Sequence, residues 1–141
     1  MDAVKTHKDL LVWQKSIILA GKVYAATRAL PSEEQFGLKQ QLRRCSVSVA
    51  SSIAEGSARR SRIEFLQLLH AARGVLSEIE TQTMIAIGQG YFEATSALPD
   101  DIAEVRHLLN GLIRNISEAN QIAHAKACAP ERSRVTSPQK N

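Results

Sequence analysis

Residues Leu38 to Arg62, LKQQLRRCSVSVASSIAEGSARRSR, limit what this chain can fold into more than any other stretch. Leu38, Leu42, Cys45, Val49 and Ile53 recur at steps of four, three, four and four. That rhythm is the seam of an amphipathic helix packed against others. The same stretch carries six cations, Lys39, Arg43, Arg44, Arg59, Arg60 and Arg62, against one anion, Glu55. An apolar seam and a basic load therefore share one element, and the rest of the chain must bury the first while accommodating the second.

The remainder of the 141 residues supplies three more such seams, enough for one domain and one core. Leu10, Trp13, Ile17, Gly21 and Tyr24 predict a helix over 9–29, with Asp9 as its N-cap and Trp13 as a core anchor. Pro31 ends it, and Ser32 with Gln35 forms a capping-box pattern opening a second helix over 33–55. Gly37 falls inside that helix at about 1 kcal/mol relative to alanine, a cost that would suit a close helix crossing. Gly56 reads as the left-handed residue that stops it. Phe65 or Leu66, Leu69, Ala72, Leu76, Ile79, Thr83 and Ile87 mark a third helix over 61–89, capped by Ser61 with Glu64 and closed by Gly88 and Gly90. Pro99-Asp100-Asp101 opens a fourth over 100–125, with Ile102, Val105, Leu109, Leu112, Ile116 and Ala119 inward. Residues 1–8 are aperiodic and read as a flexible N-terminus, and 126–141 as a polar mobile tail. The fold class is all-α: an antiparallel up-down-up-down four-helix bundle over 9–125.

Charge is distributed unevenly. Residues 39–62 sum to +5, residues 78–118 to −5, and 126–141 to +3, within a net charge of +4. Such polarity suits either an anionic polymer or another copy of the chain. No apolar run is long enough to span a bilayer, and the two cysteines, Cys45 and Cys128, form no disulfide framework, so a cytoplasmic, reducing location is expected. Chemistry is sparse. His7, His70, His107 and His124 never stand three or four apart, and His124 with Cys128 makes only two ligands, so neither a metal nor another cofactor is expected. Cys45 lies on the seam as a small apolar filler, and the turn GSARR, whose backbone donors and arginines could hold an anion, reads first as a solvated corner. Arg44, Ser48, Glu55 and Arg59 form the one polar constellation. Its structural reading is that Glu55 accepts from an arginine and fixes helix register or a subunit contact; its alternative is contact with a ligand or nucleic acid.

These residues also carry a resemblance. Pro31, Glu34, Phe36-Gly37-Leu38, Gln41, Arg43-Arg44, Ser48, Ile53-Ala54-Glu55-Gly56, Arg59, Phe65, Ala72, Gly74, Glu78 and Glu80-Thr81-Gln82, with the early Val12-Trp13-Gln14, resemble the signature of the bacterial four-helix-bundle family named after the 23S rRNA intervening-sequence protein. The similarity runs over about residues 9–120. It departs at Ala50, Ser52 and Val75, where the pattern has proline, asparagine and serine. The resemblance implies a bundle that assembles as a ring, typically a pentamer. It also implies a kinship in fold with the accessory variability protein of diversity-generating retroelements, which binds a reverse transcriptase and nucleic acid. It implies no defined activity; that the chain is not an enzyme is expected from the lack of a metal set, a nucleophile–base pair or a phosphate loop. The expectation is thus a non-enzymatic homo-oligomer that binds RNA or a ribonucleoprotein, with Lys39, Arg43, Arg59, Arg60 and Arg62 on the nucleic-acid backbone and Arg44, Ser48 and Glu55 as a structural polar network. With few aromatics to stack bases, binding would be led by shape and charge. The alternative is a protein–protein interaction scaffold whose basic second helix is used up at the subunit interface. No membrane partner is expected.

Overall fold

The computed structural model describes residues 6–127. The expectations for residues 1–5, for Cys128 and for the tail from 128 onward lie outside them. Four helices, α1 (Leu11–Thr27), α2 (Leu38–Ala58), α3 (Arg62–Gly88) and α4 (Leu98–Ala127), form an all-α up-down-up-down bundle, with short 3-10 turns at His7–Asp9 and Ser32–Glu34. Each helix packs on two neighbours, α1 on α2 and α4, α3 on α2 and α4, and the α2–α3 pair is the most extensive. Leu42, Val49, Ile53, Leu69, Leu76, Ile79, Ile102 and Leu109 are completely buried between them.

The seams of α2, α3 and α4 lie close to where periodicity puts them, but the deepest residue shifts by one at three places: Ser46 rather than Cys45, Ala86 rather than Ile87, and Ile113 rather than Leu112. Helix α1 departs further. Its inner face is Val12, Ser16, Leu19, Val23 and Thr27, while Ile17 and Tyr24 face outward. Two hydroxyls explain the difference. Ser16 Oγ donates to Val12 O and Thr27 Oγ1 to Val23 O, each at 2.7 Å, so both polar side chains are satisfied by their own helix and can be buried. Trp13 is half-buried at the edge of the core, with the His7 ring edge-on at 5.0 Å.

Helix ends also differ from expectation, and the reasons are local. Residues 6–8 are ordered by a capping box, in which Thr6 Oγ1 accepts from Lys8 N and Asp9 Oδ2 accepts from Thr6 N. Asp9 thereby serves that turn, and Leu10 is the N-cap of α1. Helix α2 starts at Leu38, not 33, because the chain first makes the Ser32–Glu34 turn. Its cap is Glu34, whose Oε2 accepts from Leu38 N at 3.0 Å. Gly37 is the residue entering α2 rather than an interior one, and a Cβ there would stand 2.8 Å from that same Oε2. The close crossing belongs instead to Gly56. It is helical and buried within α2, and a Cβ on it would meet the Phe65 ring at 2.7 Å and Leu68 Cβ at 3.2 Å. Gly90 is the left-handed residue, at φ 75°. There Gly90 N donates to Ile87 O and Tyr91 N to Ala86 O, the paired bonds of a Schellman stop.

Candidate nucleic-acid interface

Because α2 advances about 1.5 Å per residue, the six basic residues divide into two groups about 22 Å or more apart along its axis, three inside α2 and three past its end. Lys39, Arg43 and Arg44 stand near the α1–α2 turn, and Arg59, Arg60 and Arg62 surround the α2–α3 turn. The structure therefore does not gather the candidate contacts into one patch. It makes two cationic ends of one element.

The individual side chains are used differently. Arg43 is pinned to the end of α1: its Nε donates to Thr27 Oγ1 at 2.8 Å and its Nη2 to Tyr24 O at 3.2 Å. Its guanidinium carbon lies 4.7 Å from the centre of the Tyr24 ring, a cation–π contact. Arg62 Nη1 donates to Ala119 O at 3.1 Å, tying the start of α3 to α4. Arg59 Nη2 pairs with Glu55 Oε1 at 2.7 Å, which holds the Arg59 pKa above its ordinary value. Lys39 is half-buried along its stem, and Arg44 and Arg60 are exposed. Among the described residues, only Arg59 of these six meets a carboxylate. Arg43 and Arg62 donate to neutral oxygens, so their charge is not cancelled.

The expected network of Arg44, Ser48 and Glu55 does not form as a unit. Glu55 turns toward Arg59, one helical turn further on, because that pair is spaced four apart at the exposed end of α2. Ser48 is half-buried and makes no hydrogen bond to either partner. Arg44 instead borders an open groove of about 640 Å³ between α2 and α3, with Gln41, Cys45, Glu78, Thr81 and Gln82. In that groove Cys45 Sγ lies 3.5 Å from Glu78 Oε2 and accepts from Gln82 Nε2 at 3.7 Å. Burial pushes the Cys45 thiol up; the Gln82 hydrogen bond opposes this, and the Glu78 carboxylate adds to it. A thiol held protonated is a poor nucleophile and a poor metal ligand. Among the described residues no three His, Cys, Asp or Glu side chains stand close enough to hold a metal ion.

Three acids of α3 and α4 are paired within the bundle. Glu80 pairs with Arg106 at 2.6 Å, Asp101 with Lys22 at 3.0 Å and Glu104 with Lys15 at 3.2 Å. Tyr91, whose hydroxyl lies 3.5 Å from Glu34 Oε1, has its pKa raised by desolvation and by the Glu34 and Glu33 charges. Spacing alone does not single out one further residue. Phe36, in the turn before α2, is 87% exposed, beside the first basic group. Its signals in the sequence are its place in the family signature and its being an aromatic that lies off every apolar seam.

Among the described residues no helix is long and apolar enough to cross a membrane. A sequence model of the family described as "23S rRNA-intervening sequence protein" matches residues 8–111. The chain is also similar to a solved structure from Bacteroides thetaiotaomicron, described as a protein with unknown function from the S23 ribosomal protein family. The two share 25% identity at a TM-score of 0.69, over 76% of this chain and 98% of the other. No curated protein matches the chain.

Proposed function

The chain belongs to the 23S rRNA-intervening sequence protein family, and from that premise we propose that it is a non-enzymatic module that assembles with its own kind and binds RNA through the outer side of α2. One observation carries the reading: of the six cations from α2 to the first residue of α3, all but Arg59 stand without a carboxylate partner among the described residues. Arg43 and Arg62 also serve the fold, but Lys39 does not. Lys39 sits in the first turn of α2, at the positive end of the helix dipole, and four residues from Arg43, a like-charge spacing that costs a few tenths of a kcal/mol. Two cationic ends on one rod suit the phosphate backbone of a nucleic acid, whose binding releases condensed counterions. A ring of such rods would multiply weak contacts by raising effective concentration.

Self-assembly is supported by a different surface. Leu11, Ile17, Ile18 and Tyr24 of α1 all stand 39–53% exposed, an outer apolar stripe on a helix whose inner face is already buried. A helix apolar on both sides is normally covered on both sides. The scaffold alternative, with α2 consumed against the acidic α3–α4 side of the next copy, is disfavoured by the internal pairing of Glu80, Asp101 and Glu104.

The test reverses the charges at both ends of α2. Lys39→Glu with Arg44→Glu, and separately Arg60→Glu, should each lower RNA affinity about tenfold or more at low salt, with the subunit number by light scattering unchanged. Dissociation of the oligomer by these changes, or no RNA binding by the native chain at low salt, would favour the scaffold.

A further inference from the structure

Beside the α1–α2 turn lies a hollow of about 330 Å³, bordered by Phe36, Lys39, Arg43 and Arg44. That is the lower end of the range ligand pockets occupy. Two flat groups border it. The Phe36 ring is 87% exposed, with almost none of its surface used in the core. The Arg43 guanidinium is held in place by Thr27 Oγ1 and the Tyr24 carbonyl, with its carbon over the Tyr24 ring, 4.7 Å from the ring centre. An anchored guanidinium loses little further freedom when something flat packs against it. The nearby Glu34 carboxylate is turned away, accepting from Leu38 N at 3.0 Å as the cap of α2, so it does not neutralise Lys39 or Arg44.

Bases of single-stranded RNA stack on aromatic rings and on arginine planes, while phosphates one step away require cations. Resting on the RNA-binding reading above, we infer that this hollow is a base-stacking site for single-stranded RNA: a splayed base lies against Phe36 and the plane of Arg43, and the flanking phosphates meet Lys39 and Arg44. The site adds to the α2 surface something charge alone does not provide, a preference for unpaired over duplex strands. In a duplex the base faces are occupied by their neighbours and cannot reach Phe36.

The experiment titrates the full-length chain into a fluorescein-labelled oligouridylate and into a duplex RNA of equal length. The native chain should bind the single strand more tightly than the duplex. Phe36→Ala should weaken single-strand binding about tenfold, remove the preference, and leave the slope of log affinity against log salt unchanged, because stacking releases no counterions. Phe36→Trp should restore binding, and in a Trp13→Phe background the fluorescence of the introduced indole should be quenched by unlabelled oligouridylate. An unchanged affinity in Phe36→Ala, or indole fluorescence that oligouridylate leaves unquenched in Phe36→Trp, overturns the stacking site while the RNA reading stands. A change of subunit number in Phe36→Ala also overturns it, assigning Phe36 to a contact between copies. No binding of either RNA by the native chain removes both.

Discussion

Helices α1 and α2 lie side by side, and their outer faces have little in common. The outer face of α1 carries Leu11, Ile17, Ile18 and Tyr24; that of α2 is mostly polar, with Lys39 and Arg44 near its start, Val47 as its exposed large apolar residue, and Arg59 and Arg60 just past its end. Inside, the two are alike: α1 buries Ser16 and Thr27 beside its aliphatics, and α2 buries Ser46 beside Leu42, Val49 and Ile53. A bundle needs only one apolar face per helix. What each helix shows on its other face is thus not set by the core alone, and under the proposed function the difference reflects two partners, apolar protein surface for one and phosphate for the other.

The comparison can be broken most forcefully from the α1 side. Ile17→Asp with Ile18→Asp places two charges on the outer stripe, and the expected outcome is loss of the oligomer by light scattering with the helical circular dichroism of the monomer retained. If the oligomer survives, α1 is not the assembling face. Next in size is the seat of α2 on α3. Gly56→Ala drives a methyl into the Phe65 ring, and unfolding by urea should show a loss of about 1–3 kcal/mol. Gly37→Ala is expected to be milder, about 1 kcal/mol, because only the Glu34 cap of α2 must give way. Glu34→Gln, which keeps an acceptor, should cost less than Gly37→Ala in the same measurement.

The smallest effect concerns the α2–α3 groove. Burial raises the Cys45 pKa, so the folded chain holds that proton more tightly than the unfolded chain does. Stability tied to Cys45 is then full below the ordinary thiol range and is lost as pH rises through the raised value. In a Cys128→Ser background, the rate of thiol modification should rise with pH only above the range of an ordinary cysteine. Modification with an ordinary thiol profile would mean that the groove is open enough to leave Cys45 solvated.

Much of this architecture could be read from residue order, and the exceptions share a cause. Seams made of aliphatics, as in α2, α3 and α4, announce themselves by spacing, and Leu42, Leu69 and Ile102 are fully buried as their rhythm requires. The inner face of α1 is hidden because hydroxyls bonded to their own backbone look polar in sequence yet behave as filler in the core. Gly37 and Gly56 exchange the roles their neighbourhoods suggest, since a glycine's purpose depends on what approaches it from another element. The site is legible in part. The basic load of α2 is plain in composition, but whether a cation is spent on a carbonyl, a ring or a carboxylate depends on the partner helix. That is why Glu55 meets Arg59 and not Arg44, and why Arg43 became a fixed plane beside Phe36.

The central claim is that the outer cations of α2 remain available for phosphate. Its most direct measurement is the dependence of RNA affinity on salt between about 50 and 200 mM, for the native chain and for Lys39→Glu with Arg44→Glu. The account predicts a steep fall for the native chain and a slope shallower by about two in the double variant, one for each cation withdrawn from a phosphate. Equal slopes in the two proteins, or an affinity indifferent to salt, would contradict it.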